Sequence, residues 1–105
     1  LLADLGNNAH MNFDWYTVLH TNSLEYVVGC YGEKLSTWAR FVGCPAMVCA
    51  EQGYIETKNL LGVAVTIYGD NGKYIIPLCS HSKNVLLSSS LIVYTSPVKM
   101  KITRG

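Results

Sequence analysis

The sequence predicts a mainly β protein: a small irregular antiparallel barrel of about six strands with one or two short covering helices. Three observations predict it. Leu61, Val63, Val65 and Ile67 alternate with Gly62, Ala64, Thr66 and Tyr68, the two-residue period of a strand. Asn71-Gly72 then offers the favoured pair for a two-residue type I′ hairpin turn. Further short segments rich in Val, Ile and Tyr are bounded by Gly, Asn, Ser or Pro, as in antiparallel barrels and sandwiches. At 105 residues, half of them hydrophobic and 14% charged, the chain is long enough for one cored domain spanning 1–105 and too apolar to stay disordered.

The elements follow in chain order. LLADL reads as the end of a helix stopped at Gly6, and NFDWYTVLH (12–20) and EYVVGCY (25–31) read as strands. In GEKLSTWARFVGCP, Leu35, Trp38, Ala39 and Val42 recur at helical spacing. Gly43 suits the position just past a helix end and Pro45 blocks continuation, so a helix is expected over 34–42, with Trp38 covering an open end of the sheet. AMVCAE (46–51) reads as another strand. A type I′ turn at 71–72 would pair Asp70 with Lys73, Tyr68 with Ile75, Ile67 with Ile76, Thr66 with Pro77 and Val65 with Leu78. Val65, Ile67, Ile76 and Leu78 would then share the core face. Pro77, which cannot donate to a ladder, places its strand at an edge or a bend. LIVYTS (91–96) and VKMKIT (98–103) close the chain as strands. In the last one, alternation buries Val98, Met100 and Ile102 and exposes Lys99 and Lys101, with Arg104 beyond.

Charge is unevenly spread. Residues 1–56 carry a net −4 and residues 57–105 a net +5, for +1 overall. A basic half attracts RNA or an acidic partner unless the two halves interleave in space. The four cysteines, Cys30, Cys44, Cys49 and Cys79, are too sparse for a disulfide scaffold, and a reducing cytosol fits them better. The charge-free stretch from Asn84 to Val98 is interrupted by three serines and Pro97. It falls short of the roughly 18–20 apolar residues of a membrane span, so no membrane partner is expected. The opening LLADLG lacks a basic signal-peptide region, and a start at Leu suggests a chain cut from something longer.

Chemistry-bearing patterns are few. GDNG lacks the Lys-Ser/Thr pair of a phosphate loop. Cys44-x4-Cys49 with Cys79-x-His81 could supply three thiolates and an imidazole, but neither spacing is that of a zinc knuckle, and a Cys in an apolar strand is more often a small buried hydrophobe. A Cys30 nucleophile with His20 or His81 as base and Asp14 as orienter lacks any local motif. The expectation is a protein without enzymatic activity, metal, cofactor or small-molecule substrate. Seven tyrosines on or beside strands offer a different lead, since exposed Tyr with Lys grips single-stranded nucleic acid by stacking and phosphate neutralisation. Against it stands the ordinary use of Tyr, with the ring in the core and the hydroxyl at the rim.

EYVVGCYGEKLSTW (25–38) resembles the Tyr-Val strand and Gly-bearing turn of the coronavirus leader protein family, the first product cut from the replicase polyprotein. NLLGVAVTIYGDNGKYIIPLCSHSKNVLLSS (59–89) is similar to that family's long hairpin, and LIVYTSPVKMKITRG (91–105) to the last strand and basic-glycine ending of its short, alphacoronavirus-type members. The resemblance covers about two thirds of the chain. It implies a small irregular β-barrel with a helix over one end and no enzymatic activity. The implied role is suppression of host gene expression in the host cell cytoplasm, mainly of translation, with blunted interferon responses. The ribosome-plugging helical tail of the longer members has no counterpart here, so that mechanism is not carried over. An Arg-Gly ending resembles what a viral papain-like protease leaves. The family's strand before its first helix has no room ahead of LLADL, and GCPAMVCAEQGYIE (43–56) does not match.

The expected partners are the host translation machinery, the small ribosomal subunit in particular, and RNA. The expected contact residues are Lys83, Lys99, Lys101 and Arg104, because a basic strand edge meets phosphate. The same lysines could instead only guard an edge strand against aggregation. The rivals are an oligonucleotide-binding barrel module unrelated to coronaviruses and a small cysteine hydrolase or zinc protein.

Overall fold

The computed structural model describes residues 13–21 and 31–99. The expected helix at LLADL, the strand residues 25–30, and positions 100–105, with Lys101 and Arg104, lie outside the described residues, as does Cys30. The protein is mainly β. Its elements are β1 (Asp14–His20), α1 (Tyr31–Val42), β2 (Leu60–Ile67), β3 (Lys73–Cys79), α2 (Ser80–Leu86), β4 (Leu91–Thr95) and β5 (Val98–Lys99). The strands form one antiparallel sheet in the order β4-β1-β2-β3-β5.

β4 and β5 are opposite edges of this sheet, yet only Ser96 and Pro97 separate them in sequence. Neighbouring strands are about 4.8 Å apart, so a flat sheet would hold these edges roughly 19 Å apart. The three-residue step from Thr95 to Val98 spans at most about 11 Å. The sheet must therefore curl. It does so around a core of Val18, Val63, Val65, Ile76, Leu78, Leu91 and Val93, joined by Cys49, Ala50, Cys79 and Leu86. Among the described residues it does not close into the expected barrel. Instead Ala50 links the curled edges, its N–H donating to Pro77 O (3.0 Å) and its carbonyl accepting from Tyr94 N (2.9 Å).

The segment 46–51, expected as a strand, makes only one isolated bridge, Glu51 with Val93. Cys49 N donates to Glu56 O, and Gly53 turns the chain at φ 76°, so pairing stops after Ala50 and Glu51 have found partners. Pro77 meets its edge expectation locally. Two-residue β5 covers only Tyr74 and Ile75, and beyond it the Pro77 carbonyl points away from β2 toward Ala50.

The β2–β3 hairpin forms with a register different from the expected one. Val63 faces Ile76, Val65 faces Tyr74, Thr66 faces Lys73 and Gly62 faces Pro77. The turn is not type I′, because neither Asn71 nor Gly72 takes positive φ. Gly69 does, at 85°, and Asp70 N donates to Ile67 O (2.9 Å), which closes a turn three residues earlier. The Asp70 carboxylate then accepts from Gly72 N (2.7 Å) and from the Tyr74 hydroxyl (2.9 Å), holding residues 70–74 as a loop. The register moves by four residues. An even shift leaves every side chain on its face, so Val65, Ile76 and Leu78 remain buried as expected.

α1 begins three residues earlier than expected and ends as expected. Gly43 takes φ 95° and its N–H donates to Ala39 O (2.9 Å), satisfying a last-turn carbonyl. Trp38 and Val42, one turn apart, pack on Ala64, Ile75 and Val98, the outer face of β2, β3 and β5. Small residues at 62 and 64 let the helix approach. Trp38 thus covers a face of the sheet, and its indole N–H donates to Ser96 O (2.9 Å) at the β4–β5 crossover. α2 was not expected. Its stretch SHSKNVL reads locally as the tail of the hairpin. Cys79 ends β3 and caps the helix, accepting from Ser82 N, and Ser82 and Leu86 one turn apart face the core.

Candidate nucleic-acid interface

α1 covers the outer face of β2 and β3, and among the described residues no element covers that of β1 and β4. Alternation puts Trp15, Thr17 and Leu19 of β1, and Ile92 and Tyr94 of β4, on this bare side, because Val18, Leu91 and Val93 point inward. Trp15 and Tyr94 are directly opposite across the β1–β4 ladder, with ring centroids 5.0 Å apart. Phe13 adds a third ring, 5.8 Å from Tyr94, and its own edge meets Trp38 at 6.3 Å. Trp15 is 54% exposed and Tyr94 47%. Beside β1, Tyr68 N donates to Thr17 O (2.9 Å), and the Tyr68 ring is 76% exposed at the hairpin tip. Three rings in contact and a fourth nearby therefore line a solvent-facing strip with Ile92.

Of the charged residues expected to form the contact surface, the two described ones, Lys83 and Lys99, are not gathered here. Lys99 is exposed on β5, opposite Tyr74 at one end of β3. Lys83 is half-buried in α2, which follows the other end of β3. Five strand residues separate the two ends, roughly 17 Å. Lys99 is five residues of chain from Tyr94, so at most about 17 Å away. Its side chain is on the opposite face of the sheet from the strip, because Val98 packs under α1 and its partner Tyr74 packs against the inner core. Asp14, beside Trp15, accepts from the Trp15 N–H (2.8 Å) and is a carboxylate at the strip's end. Lys99 also faces Asp70, whose carboxyl lies below its ordinary value because Gly72 N–H and the Tyr74 hydroxyl bond to it and Lys99 attracts it.

Among the described residues the ordinary use of Tyr holds for three. Tyr16, Tyr54 and Tyr74 pack against the core. Burial and the neighbouring Asp14 push the Tyr16 hydroxyl up, and burial with the Asp70 bond does the same at Tyr74. The Trp15–Tyr94–Phe13 cluster was not singled out from sequence, since NFDWYTVLH is apolar on both strand faces. Only the β1–β4 register joins residues 79 positions apart.

A second cluster lies under α2. Cys49 and Cys79 are each 3% exposed, and both thiols bond Ser82 Oγ, at 3.2 and 3.4 Å. Ser82 Oγ donates to the Glu51 carboxylate. His81 stacks on Tyr54 with centroids 5.0 Å apart. Cys44 is exposed on the loop after α1. Among the described residues no group of three or more His, Cys, Asp or Glu side chains is placed to hold a metal ion, and no helix is long and apolar enough to cross a membrane. Comparison with protein-family models, curated proteins and solved structures finds no match to this chain.

Proposed function

We propose that this protein is a non-enzymatic binding module that takes single-stranded RNA on the bare β1–β4 face and, as its resemblance to coronavirus leader proteins implies, suppresses host translation in the host cytoplasm. One observation carries the RNA reading: Trp15, Tyr94 and Phe13 form a contiguous, solvent-facing ring cluster on a sheet. Every base has a π-face, and stacking on such a platform contributes about 1–3 kcal/mol per base. Lys99 lies on the edge strand β5 with its side chain on the face opposite the rings, because its neighbour Val98 packs under α1. It would therefore neutralise phosphates of a strand that wraps over the β5 edge, and Lys101 and Arg104 follow it in the basic C-terminal half. Lys83, at the far end of β3, is not part of this path. The translation machinery, the small ribosomal subunit first, is the proposed setting in which that RNA is met, and interferon antagonism the proposed consequence.

The test is a fluorescence anisotropy titration with a labelled single-stranded RNA, run with an extract translation assay on the same preparations. Trp15→Ala and Tyr94→Ala should each weaken RNA binding by about 5–150-fold. Lys99→Glu should weaken it and reduce its salt dependence. Thermal melts identify any variant that loses the fold. Folded variants that bind as tightly as the parent remove the aromatic face from the function. RNA binding without translation inhibition leaves the alternative, an oligonucleotide-binding module unrelated to coronaviruses.

A further inference from the structure

We propose that Cys49 and Cys79 are a peroxide-reactive dithiol that closes to a disulfide inside the folded domain. The two cysteines come from separate segments, the irregular chain after α1 and the end of β3, and meet at one hydroxyl. Cys49 Sγ is 3.2 Å from Ser82 Oγ, and Cys79 Sγ is 3.4 Å from the same atom. Cys79 N–H donates to Cys49 Sγ (3.3 Å), so the Cys49 sulfur is against the Cys79 backbone. The backbone holds this approach independently of the side chains, through Ala50 N–H to Pro77 O, one residue after Cys49 and two before Cys79. Disulfides need Cα atoms roughly 4.4–6.8 Å apart, and a sulfur this near its partner's own N–H keeps the two Cα atoms within about 8 Å, at or beside that range, so side-chain rotation with a small backbone adjustment closes the bond.

The surroundings separate the two sulfurs chemically. Ser82 Oγ accepts from both thiols and donates to Glu51, so a thiol proton has a two-step route to a carboxylate. Burial acts to raise the Cys79 thiol, but bonds from Ser82 Oγ, Ser82 N–H and Cys49 outweigh it and hold the thiol below its ordinary value. Burial pushes the Cys49 thiol up. Cys79 is therefore the attacking sulfur. Its thiolate forms an S–O bond to a hydroperoxide as the O–O bond breaks, and the leaving oxygen departs as alcohol or water with the displaced proton. Cys49, its proton passed through Ser82, attacks the Cys79 sulfenic acid. The S–S bond forms and hydroxide leaves, taking a proton as water. Two thiols lose two electrons and one peroxide gains them.

The test uses the full chain with Cys30→Ser and Cys44→Ser, and in parallel the unsubstituted chain read by peptide mapping. Hydrogen peroxide is added to the folded protein, followed by N-ethylmaleimide and intact mass. The expected result is a loss of about 2 Da, no alkylation, and a linked Cys49–Cys79 peptide that dithiothreitol separates. Closing this loop should raise the melting temperature by about 5–15 °C. In Cys49→Ser, dimedone should label Cys79. Two alkylated thiols after peroxide, separate over-oxidation without a linked peptide, a link formed only in denaturant, or no dimedone on Cys79 in folded Cys49→Ser would overturn the proposal.

Discussion

Trp38→Phe probes the joint that lets this sheet curl. Trp38 is 3% exposed, donates its indole N–H to Ser96 O at 2.9 Å, and packs with Val42 on Ala64, Ile75 and Val98. Ser96 is half of the two-residue crossover between the sheet edges, so the bond fastens α1 to the point of greatest curvature. Phe keeps an aromatic ring there and removes the donor. The lost hydrogen bond costs about 0.5–1.5 kcal/mol net. The smaller ring buries some 40 Å² less apolar surface, about 1 kcal/mol more. The sum, about 2 kcal/mol, corresponds to a fall of roughly 8 °C or more in melting temperature for a domain of this size. Trp38→Ala, which empties the site, should cost about 3–5 kcal/mol. Differential scanning calorimetry measures both. Amide exchange locates the effect, which should speed exchange where β5 pairs with Tyr74 and Ile75 and leave the β1–β4 ladder unchanged. The protein has two tryptophans, so the emission of Trp38→Phe comes from half-exposed Trp15 alone and should shift to the red. A Trp38→Phe protein that melts within about 2 °C of the parent would sink the claim that this bond and contact secure the crossover.

Two further outcomes follow from individual side chains. Asp70 has a depressed pKa in the folded state, so its contribution is present above its ordinary value of 3.8 and is lost as pH falls through the lower folded value. Asp70→Asn should therefore melt below the parent at neutral pH, with the two curves converging in acid; a constant gap down to pH 2 contradicts the assignment. Thr95 is 1% exposed, and its hydroxyl has no hydrogen-bond partner among the described residues. Thr95→Val replaces a buried, unpartnered hydroxyl with a methyl of similar size, so a melting temperature equal to or above the parent's is expected, and a fall of more than about 1 kcal/mol would mean that the hydroxyl is satisfied.

Much of the fold was legible along the chain. Period-two alternation located β1, β2, β3 and β4 and assigned Val65, Ile76 and Leu78 to the core, because a strand's side-chain period is a local property of its backbone. The stop of α1 at Gly43 was equally local, since only the residues around position 43 decide it. Val98 buried with Lys99 exposed followed from the same alternation. Where several local solutions compete, neighbours decided. Asn71-Gly72 suits a type I′ turn, yet Gly69 and the Asp70 carboxylate made a different turn and moved the register by four. Residues 46–51 have strand composition, yet Ala50 spends its two backbone groups on two different strands. Cys79 is a poor cap by composition, and α2 starts there because Ser82 and Leu86 find the core one turn on.

The candidate site was the least legible part. The basic residues were visible as a count, but sequence carries no distance, and β3 holds Lys83 and Lys99 at its opposite ends. The aromatic strip exists because β4 pairs with β1 and α1 lies over β2 and β3 instead. The Cys49–Ser82–Cys79 cluster exists because a loop, a strand end and a helix turn converge. By itself the sequence determined which residues can be strands, which face of each is apolar and where the helix α1 ends, since these depend on backbone sterics over a few residues. Only the tertiary structure decided which apolar faces are covered and which stay open to a partner, because coverage depends on which distant element packs there.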